Sequence, residues 1–229
     1  MSTIGAAVAR VENWLLEPAE PTEAPTEAPS LAPPPVVTVF GLARGCGATV
    51  VARALAAELA IRHEGAAAVA SPLPSGGIPL ASGAAVRLSR ALADVPGART
   101  RASGRLCLVD GSQPAALVDG ARALAPVVLD AGGEPVGGVH AAVADCVVLV
   151  AAPAVEPALA SVAAGCLARL GREPFVALNR CRANTEWAGA PAVELPESRM
   201  AAQLALSGRE ARGELGRAVA ELANRVGGR

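Results

Sequence analysis

From Val36 onward, short continuous apolar runs alternate with longer stretches in which apolar residues recur every three or four positions. The runs Val36–Gly41, Ala66–Ala70, Leu106–Val109, Pro126–Leu129, Cys146–Ala151, Pro174–Leu178 and Ala192–Leu195 have strand length and no polar alternation. Strands of that kind are buried on both faces, as in a parallel sheet. Between them, helical periodicity predicts helices over Thr49–Arg62, Ala84–Ala93, Pro114–Leu124 and Glu156–Leu170, with two closing helices at about 197–206 and 209–226. Pro114 suits the first turn of its helix. Strand–helix alternation of this length predicts an α/β fold: a doubly wound, mostly parallel sheet with helices on both faces. In such sheets ligands sit at the carboxyl ends of the strands. Here those ends are Gly41–Thr49, Ser71, Asp110, Asp130, Ala151–Pro153 and Asn179.

Two segments read as loops. Ser71–Ser82 is punctuated by Pro72, Pro74, Gly76, Gly77 and Pro79, and Val95–Gly104 carries Arg99 and Arg101 close to Arg105.

The first 35 residues follow a different pattern. In residues 2–17, Ile4, Val8, Val11 and Leu15 recur at helical spacing with Trp14 beside them, which predicts a short amphipathic helix. Residues 18–35 are rich in Pro, Glu, Thr and Ala and read as an extended linker. A short amphipathic helix on such a tether is a docking peptide for a partner or a helix that folds back on its own domain. Its single basic residue, Arg10, favours a protein partner over anionic lipid. The expected organisation is therefore a helix at 1–17, a linker at 18–35 and a globular domain at 36–229.

Composition narrows the chemistry. Apolar residues make up 52% of the 229, enough for a sizeable core, and the net charge of −1 gives no global field toward nucleic acid. All 20 basic residues are arginine, so mechanisms that need a lysine ammonium have none in this chain. Cysteines 46, 107, 146, 166 and 181 form no C-x-x-C pair, which argues against a zinc site or a disulfide framework. No signal-peptide pattern and no long uninterrupted apolar stretch occurs, so the expected location is the cytoplasm, without a transmembrane segment. His63 and His140 stand apart from any nucleophile pattern, and no paired-carboxylate arrangement is visible.

The stretch Val36–Leu59, VVTVFGLARGCGATVVARALAAEL, carries the strongest chemical signal: a buried strand, a glycine-rich turn and a helix. Gly45 and Gly47 allow a tight turn with inward amides, and the helix beginning near Ala48 adds its positive end, a combination that suits an anion. Thr49 stands where phosphate-binding loops offer a hydroxyl to Mg²⁺. Against the pattern G-x-x-x-x-G-K-[ST], however, Ala48 replaces the lysine and Leu42 the first glycine. The residues alone leave two readings open, an anion nest and a glycine-rich turn that binds nothing. Cys46 is either a redox-sensitive thiol at a helix N-terminus or the filler of a small slot between two glycines.

Taken with its surroundings, this loop resembles the opening of the ParA/MinD family of deviant Walker P-loop ATPases. The family loop K-G-G-x-G-K-T falls on Ala43, Arg44, Gly45, Cys46, Gly47, Ala48 and Thr49. Val127-Val128-Leu129-Asp130-Ala131-Gly132-Gly133 looks like the Walker B strand with its switch II turn. Ala144–Val150 looks like the next strand, and Phe175-Val176-Ala177-Leu178-Asn179-Arg180 like the strand ending in Asn-Arg. Val193-Glu194-Leu195-Pro196 looks like the late strand with its proline. The resemblance spans about residues 36–226. It implies ATP and Mg²⁺ as cofactors, held by Arg44, Gly45, Cys46, Gly47, Ala48 and Thr49, with Asn179 at the adenine and Thr49 and Asp130 toward the metal. It also implies a homodimer around nucleotide.

The departures concern catalysis. The loop lysine is Ala48, the signature lysine that crosses the dimer is Ala43, and the switch I position holds Ser71-Pro72-Leu73-Pro74 without a carboxylate. Losing one charge-assisted phosphate contact costs about 1.5–3 kcal/mol of binding. Losing a preorganised charge at the transition state costs roughly 10²–10³ in rate. The expectation is a degenerate ParA/MinD-like protein, a weak or non-hydrolysing nucleotide binder acting as a scaffold or regulator in bacterial cell organisation. Asp130 is its candidate catalytic residue. Two alternatives stand beside it: an active ATPase in which Arg44 replaces the lysine, and a fold-only interaction module. Arg99, Arg101 and Arg105, with Arg87 and Arg90 upstream, read as a solvated surface rather than a nonspecific DNA contact, since 2% aromatic content gives no stacking platform.

Overall fold

In the computed structural model, which describes residues 33–63, 65–74 and 80–228, eight strands form one sheet in the order β3-β4-β2-β5-β1-β6-β7-β8. They are β1 (Val36–Gly41), β2 (Ala67–Ala70), β3 (Arg99–Ser103), β4 (Leu106–Asp110), β5 (Val127–Gly132), β6 (Cys146–Ala151), β7 (Pro174–Cys181) and β8 (Val193–Pro196). All neighbours run parallel except β3 and β4. The expected helix at 2–17 and all but the last residues of the linker lie outside the described residues.

The central strand β1 is buried throughout, and its side chains alternate between two cores. Val37 and Val39 face the core built by α1 (Ala48–Arg62), α6 (Arg199–Leu206) and α7 (Gly213–Gly227). On the opposite side Val36 meets α2 (Gly83–Ala91) and α3 (Pro114–Ala121), and Phe40 meets α4 (Val139–Val143) and α5 (Pro157–Ala168). Between them Thr38, fully buried, donates its hydroxyl to the carbonyl of His140 at 2.8 Å and so fixes α4. Asp145 Oδ2 accepts from the amide of Val36 at 3.0 Å, which anchors the start of the strand.

Helix α1 is apolar on almost every side, and α6 and α7 pack over it. A helix of that composition belongs inside the protein. It therefore leaves the end of β1 in a fixed direction, which sets the geometry of the loop between them.

Two expectations are corrected. The segment carrying Arg99 and Arg101 is the edge strand β3, antiparallel to β4, with Arg99 opposite Asp110 and Arg101 opposite Leu108. Its polar composition suits an exposed edge, where charged residues discourage further pairing. The second is the stretch between Gly132 and Cys146, which carried no predicted element and contains α4, five residues long. Other boundaries shift by a few residues: α3 ends at Ala121, β5 runs on to Gly132 and β7 to Cys181. Among the described residues, no helix is long and apolar enough to cross a membrane.

Candidate nucleotide site

The loop after β1 leaves the sheet at Gly41. A methyl there would meet Cys46 Sγ at 2.8 Å and the Gly132 carbonyl at 2.9 Å. Cys46 thus fills the slot above Gly41 and is buried, which is the slot-filling arrangement, with its sulfur turned into the protein. Gly45 (φ 78°) and Gly47 (φ 90°) both take the left-handed backbone that favours glycine. Gly47 is also the N-cap of α1 and offers no side-chain oxygen to the first-turn amides. Those amides lack intrahelical partners by construction and are left for solvent or an anion.

A cavity of about 590 Å³ opens over this turn, lined by the loop from Ala43 to Val50 and by Gly132, Gly133 and Glu134 from the end of β5. Of the residues that line this cavity, Arg44 is exposed and Ala48 is buried. Glu134 brings a carboxylate to the rim and lies 2.9 Å from His140 Nδ1.

Asn179 reaches the same turn from the opposite direction. Strand β7 is irregular between Asn179 and Cys181, where Arg180 adopts φ 64°, uncommon for a non-glycine residue. Asn179 lies two residues after Ala177, which packs in the core around α1, so strand alternation puts its side chain on that face, where its Nδ2 donates to the Cys46 carbonyl at 2.8 Å. A second cavity of about 310 Å³ lies beyond, lined by Gly47, Val50, Asn179, Arg180, the Pro196–Arg199 turn, Ala202 and Leu215. Gly47 belongs to both cavities, so the loop and Asn179 form one continuous surface.

Asp130 is placed differently. It lies at the end of β5 and lines neither cavity. Because β2 pairs with β5 so that Ala70 faces Leu129, the next residues, Ser71 and Asp130, fall side by side. Ser71 Oγ donates to Asp130 Oδ2 at 3.1 Å. The same hydroxyl accepts from Nη2 of Arg53 at 3.1 Å. Nη2 also donates to the Pro72 carbonyl at 2.9 Å, and Nη1 to the Leu206 carbonyl at 2.9 Å. Arg53 is only 5% exposed. Burial pulls its pKa below the ordinary arginine value, and the charge of Asp130 works in the opposite direction. Two buried polar atoms of this group have no partner, Arg53 Nε and Asp130 Oδ1.

Arg53, beneath the loop and bonded to Ser71, is the residue that the sequence reading missed. An arginine in an alanine-rich helix is easily assigned to a solvent face. The signal against that was present: α1 is apolar on almost every side, and the polar residues Glu58 and Arg62 lie near its far end, so a mid-helix arginine flanked by alanines has little solvent face to occupy. The metal expectation for Thr49 and Asp130 fits this arrangement poorly. Thr49 lines the cavity, while Asp130 is engaged underneath with Ser71 beside a guanidinium.

The arginines near β3 are occupied. Arg99 pairs with Asp110, Arg105 Nε with Glu210 at 2.9 Å, and Arg101 donates to the Pro74 carbonyl at 2.9 Å. Among the described residues no group of three or more His, Cys, Asp or Glu side chains could hold a metal ion.

Solved structures with this fold include a ParA family ATPase from Chlorobium tepidum TLS, at 18% identity and TM-score 0.55, over 83% of this chain and 98% of that one. A chain of the MinC:MinD cell division protein complex of Aquifex aeolicus matches at 16% identity and TM-score 0.57, over 85% of this chain and 96% of its own. A plasmid partition protein from Borrelia burgdorferi matches at 10% identity and TM-score 0.51, over 85% and 98%. The fold is therefore of the ParA/MinD type, a P-loop NTPase-like α/β architecture, as the sequence resemblance implied. No family model and no curated protein matches the sequence.

Proposed function

We propose that this protein is a degenerate ParA/MinD-like P-loop protein that binds nucleotide weakly, hydrolyses it little, and acts as a scaffold or regulator in cell organisation. Division-site placement, partitioning of DNA and positioning of a cellular machine are the settings this covers. The observation that carries the reading is a separation of shape from charge. The loop keeps the two left-handed glycines, the uncapped helix start and the brace from Asn179. The two positions that supply ammonium groups in the family are Ala43 and Ala48, and the chain contains no lysine to replace them. In this reading Arg44, Gly45, Cys46, Gly47, Ala48 and Thr49 surround the phosphates, mainly with backbone amides. The base reaches toward Asn179 and the second cavity. The partner is a protein engaged through residues 2–17, and a homodimer, if one forms, does so without the lysine contact that crosses between subunits in the family.

One observation favours a second reading. Arg44 is exposed at the cavity, where a guanidinium can clamp phosphate oxygens. An ATPase driven by Arg44 is therefore the alternative. A titration with a fluorescent ATP analogue, run beside a phosphate-release assay, separates these readings. Saturable weak binding with background turnover is the expected result. Turnover that disappears in Arg44→Ala would establish the alternative, and absence of binding would leave a fold-only interaction module.

A further inference from the structure

The buried group beneath the loop has a definite polarity. Arg53 donates to Ser71, and Ser71 donates to Asp130, so a cation and an anion are joined through one hydroxyl. The placement follows from the fold. Arg53 stands four residues after Thr49 in α1 and therefore one turn further along the same face. Ser71 and Asp130 are brought together by the register of β2 and β5. The guanidinium is held by two backbone carbonyls as well, those of Pro72 and Leu206, on segments that close over α1. The guanidinium is thus held from three directions beneath the loop, outside the lining of either cavity.

We infer that Arg53 takes the place of a divalent cation beside Asp130, so that phosphate binding in the loop does not depend on Mg²⁺. Asp130 Oδ2 is held by Ser71, which also carries the Arg53 guanidinium, and Asp130 lines neither cavity, so a divalent ion on a phosphate in the loop finds this carboxylate engaged with the arginine and its local need for a positive charge already met. The carboxylate that would serve the metal serves a guanidinium instead. The missing carboxylate of the switch I segment is consistent with this, because Ser71 at that position makes the link. The inference rests on the nucleotide reading for its functional half, and on the Arg53–Ser71–Asp130 contacts for its structural half.

The two halves are tested separately on the full chain. The first measurement is the melting temperature of Asp130→Asn. A carboxylate kept for an absent metal is a strained charge, and its neutralisation leaves stability unchanged or raises it. A carboxylate that balances Arg53 leaves a buried guanidinium unpaired when neutralised. The expected result is a fall of at least about 5 °C; an unchanged or higher melting temperature overturns the proposal. Should that variant fail to fold, Ser71→Ala makes a milder break in the same link and is expected to lower the melting temperature; no change there overturns the proposal equally. The second measurement is the affinity for the fluorescent ATP analogue in excess Mg²⁺ and in EDTA. Agreement within about twofold is expected, and binding more than tenfold tighter with Mg²⁺ overturns the proposal. If the analogue binds in neither solution, the nucleotide reading fails together with the claim of metal-independent phosphate binding, while the melting measurement still decides the pairing of Arg53 with Asp130.

Discussion

Asn179 and Cys46 are 133 positions apart in the chain, and the side-chain amide of the first donates to the backbone carbonyl of the second at 2.8 Å. The bond ties the end of β7 to the turn that precedes α1. It gives Asn179 a task that the sequence resemblance did not supply, which is to brace the loop itself.

Replacing Asn179 with Ala leaves the Cys46 carbonyl without this partner in a buried position. The expected loss is about 1–3 kcal/mol of unfolding free energy, measured by urea denaturation. If Asn179 matters only for a ligand, the urea midpoint stays where it is and nucleotide affinity alone drops.

The two loop glycines separate strain from crowding. Both sit at positive φ, which costs a side-chain-bearing residue about 1–2 kcal/mol. A methyl at Gly45 meets open space, whereas one at Gly47 falls 2.2 Å from Asn179 Nδ2. Gly45→Ala should therefore show the backbone cost alone. Gly47→Ala should show more, and Gly47→Val should also abolish any nucleotide effect. Equal melting temperatures for the two alanine variants would contradict the close approach, and unchanged nucleotide affinity in Gly47→Val would remove this loop as the site.

Thiol reactivity distinguishes a packing cysteine from a sensor at position 46. Burial pushes the Cys107 thiol up to about 11, against a smaller opposing effect from a hydrogen bond with Ser89, and Cys46 and Cys146 are buried as well. Burial also raises Cys181, helped by the charge of Glu194. Cys166 alone among the five is partly open to solvent. At pH 8 the thiolate fraction at Cys107 is about a thousandth, so alkylation there is slow. Iodoacetamide labelling of the native protein, read by mass spectrometry, should modify Cys166 first and the rest only in denaturant. Rapid labelling of Cys46 would return it to the class of reactive thiols.

Residues 1–32 are expected to act as a separate docking element, since the Pro35 carbonyl already accepts from the Val127 amide at 3.0 Å as part of the domain. Their removal should leave the melting temperature of the domain nearly unchanged and abolish partner capture in a pull-down. A large fall in stability would mean that the segment belongs to the fold rather than to a partner.

Much of this architecture follows from sequence alone because apolar runs and helical periodicity are local signals. The order of strands and helices, the glycine turn after β1 and the absence of lysine can all be read without coordinates. The loop's loss of charge is equally a sequence fact, since no fold can bring a lysine that the chain does not contain. Signals of other kinds were weaker. The edge strand β3 depends on pairing with β4, and its arginine-rich composition imitates a loop. Helix α4 is too short to show a period.

What only the tertiary structure decided is how the polar groups are matched. Whether Asp130 faces a cavity or a buried arginine depends on the register of β2 against β5 and on the burial of α1 by α6 and α7. Whether Asn179 braces the loop depends on β7 presenting the face of Ala177 and Asn179 to the side of the sheet covered by α1. Contacts between residues 18, 59 and 133 positions apart leave no periodic trace in the sequence. They exist because a buried donor or acceptor must find a partner within reach once the chain has folded. The glycine loop after β1 is thus a sequence feature, whereas the charge beneath it, Arg53 joined to Asp130 through Ser71, is a product of packing.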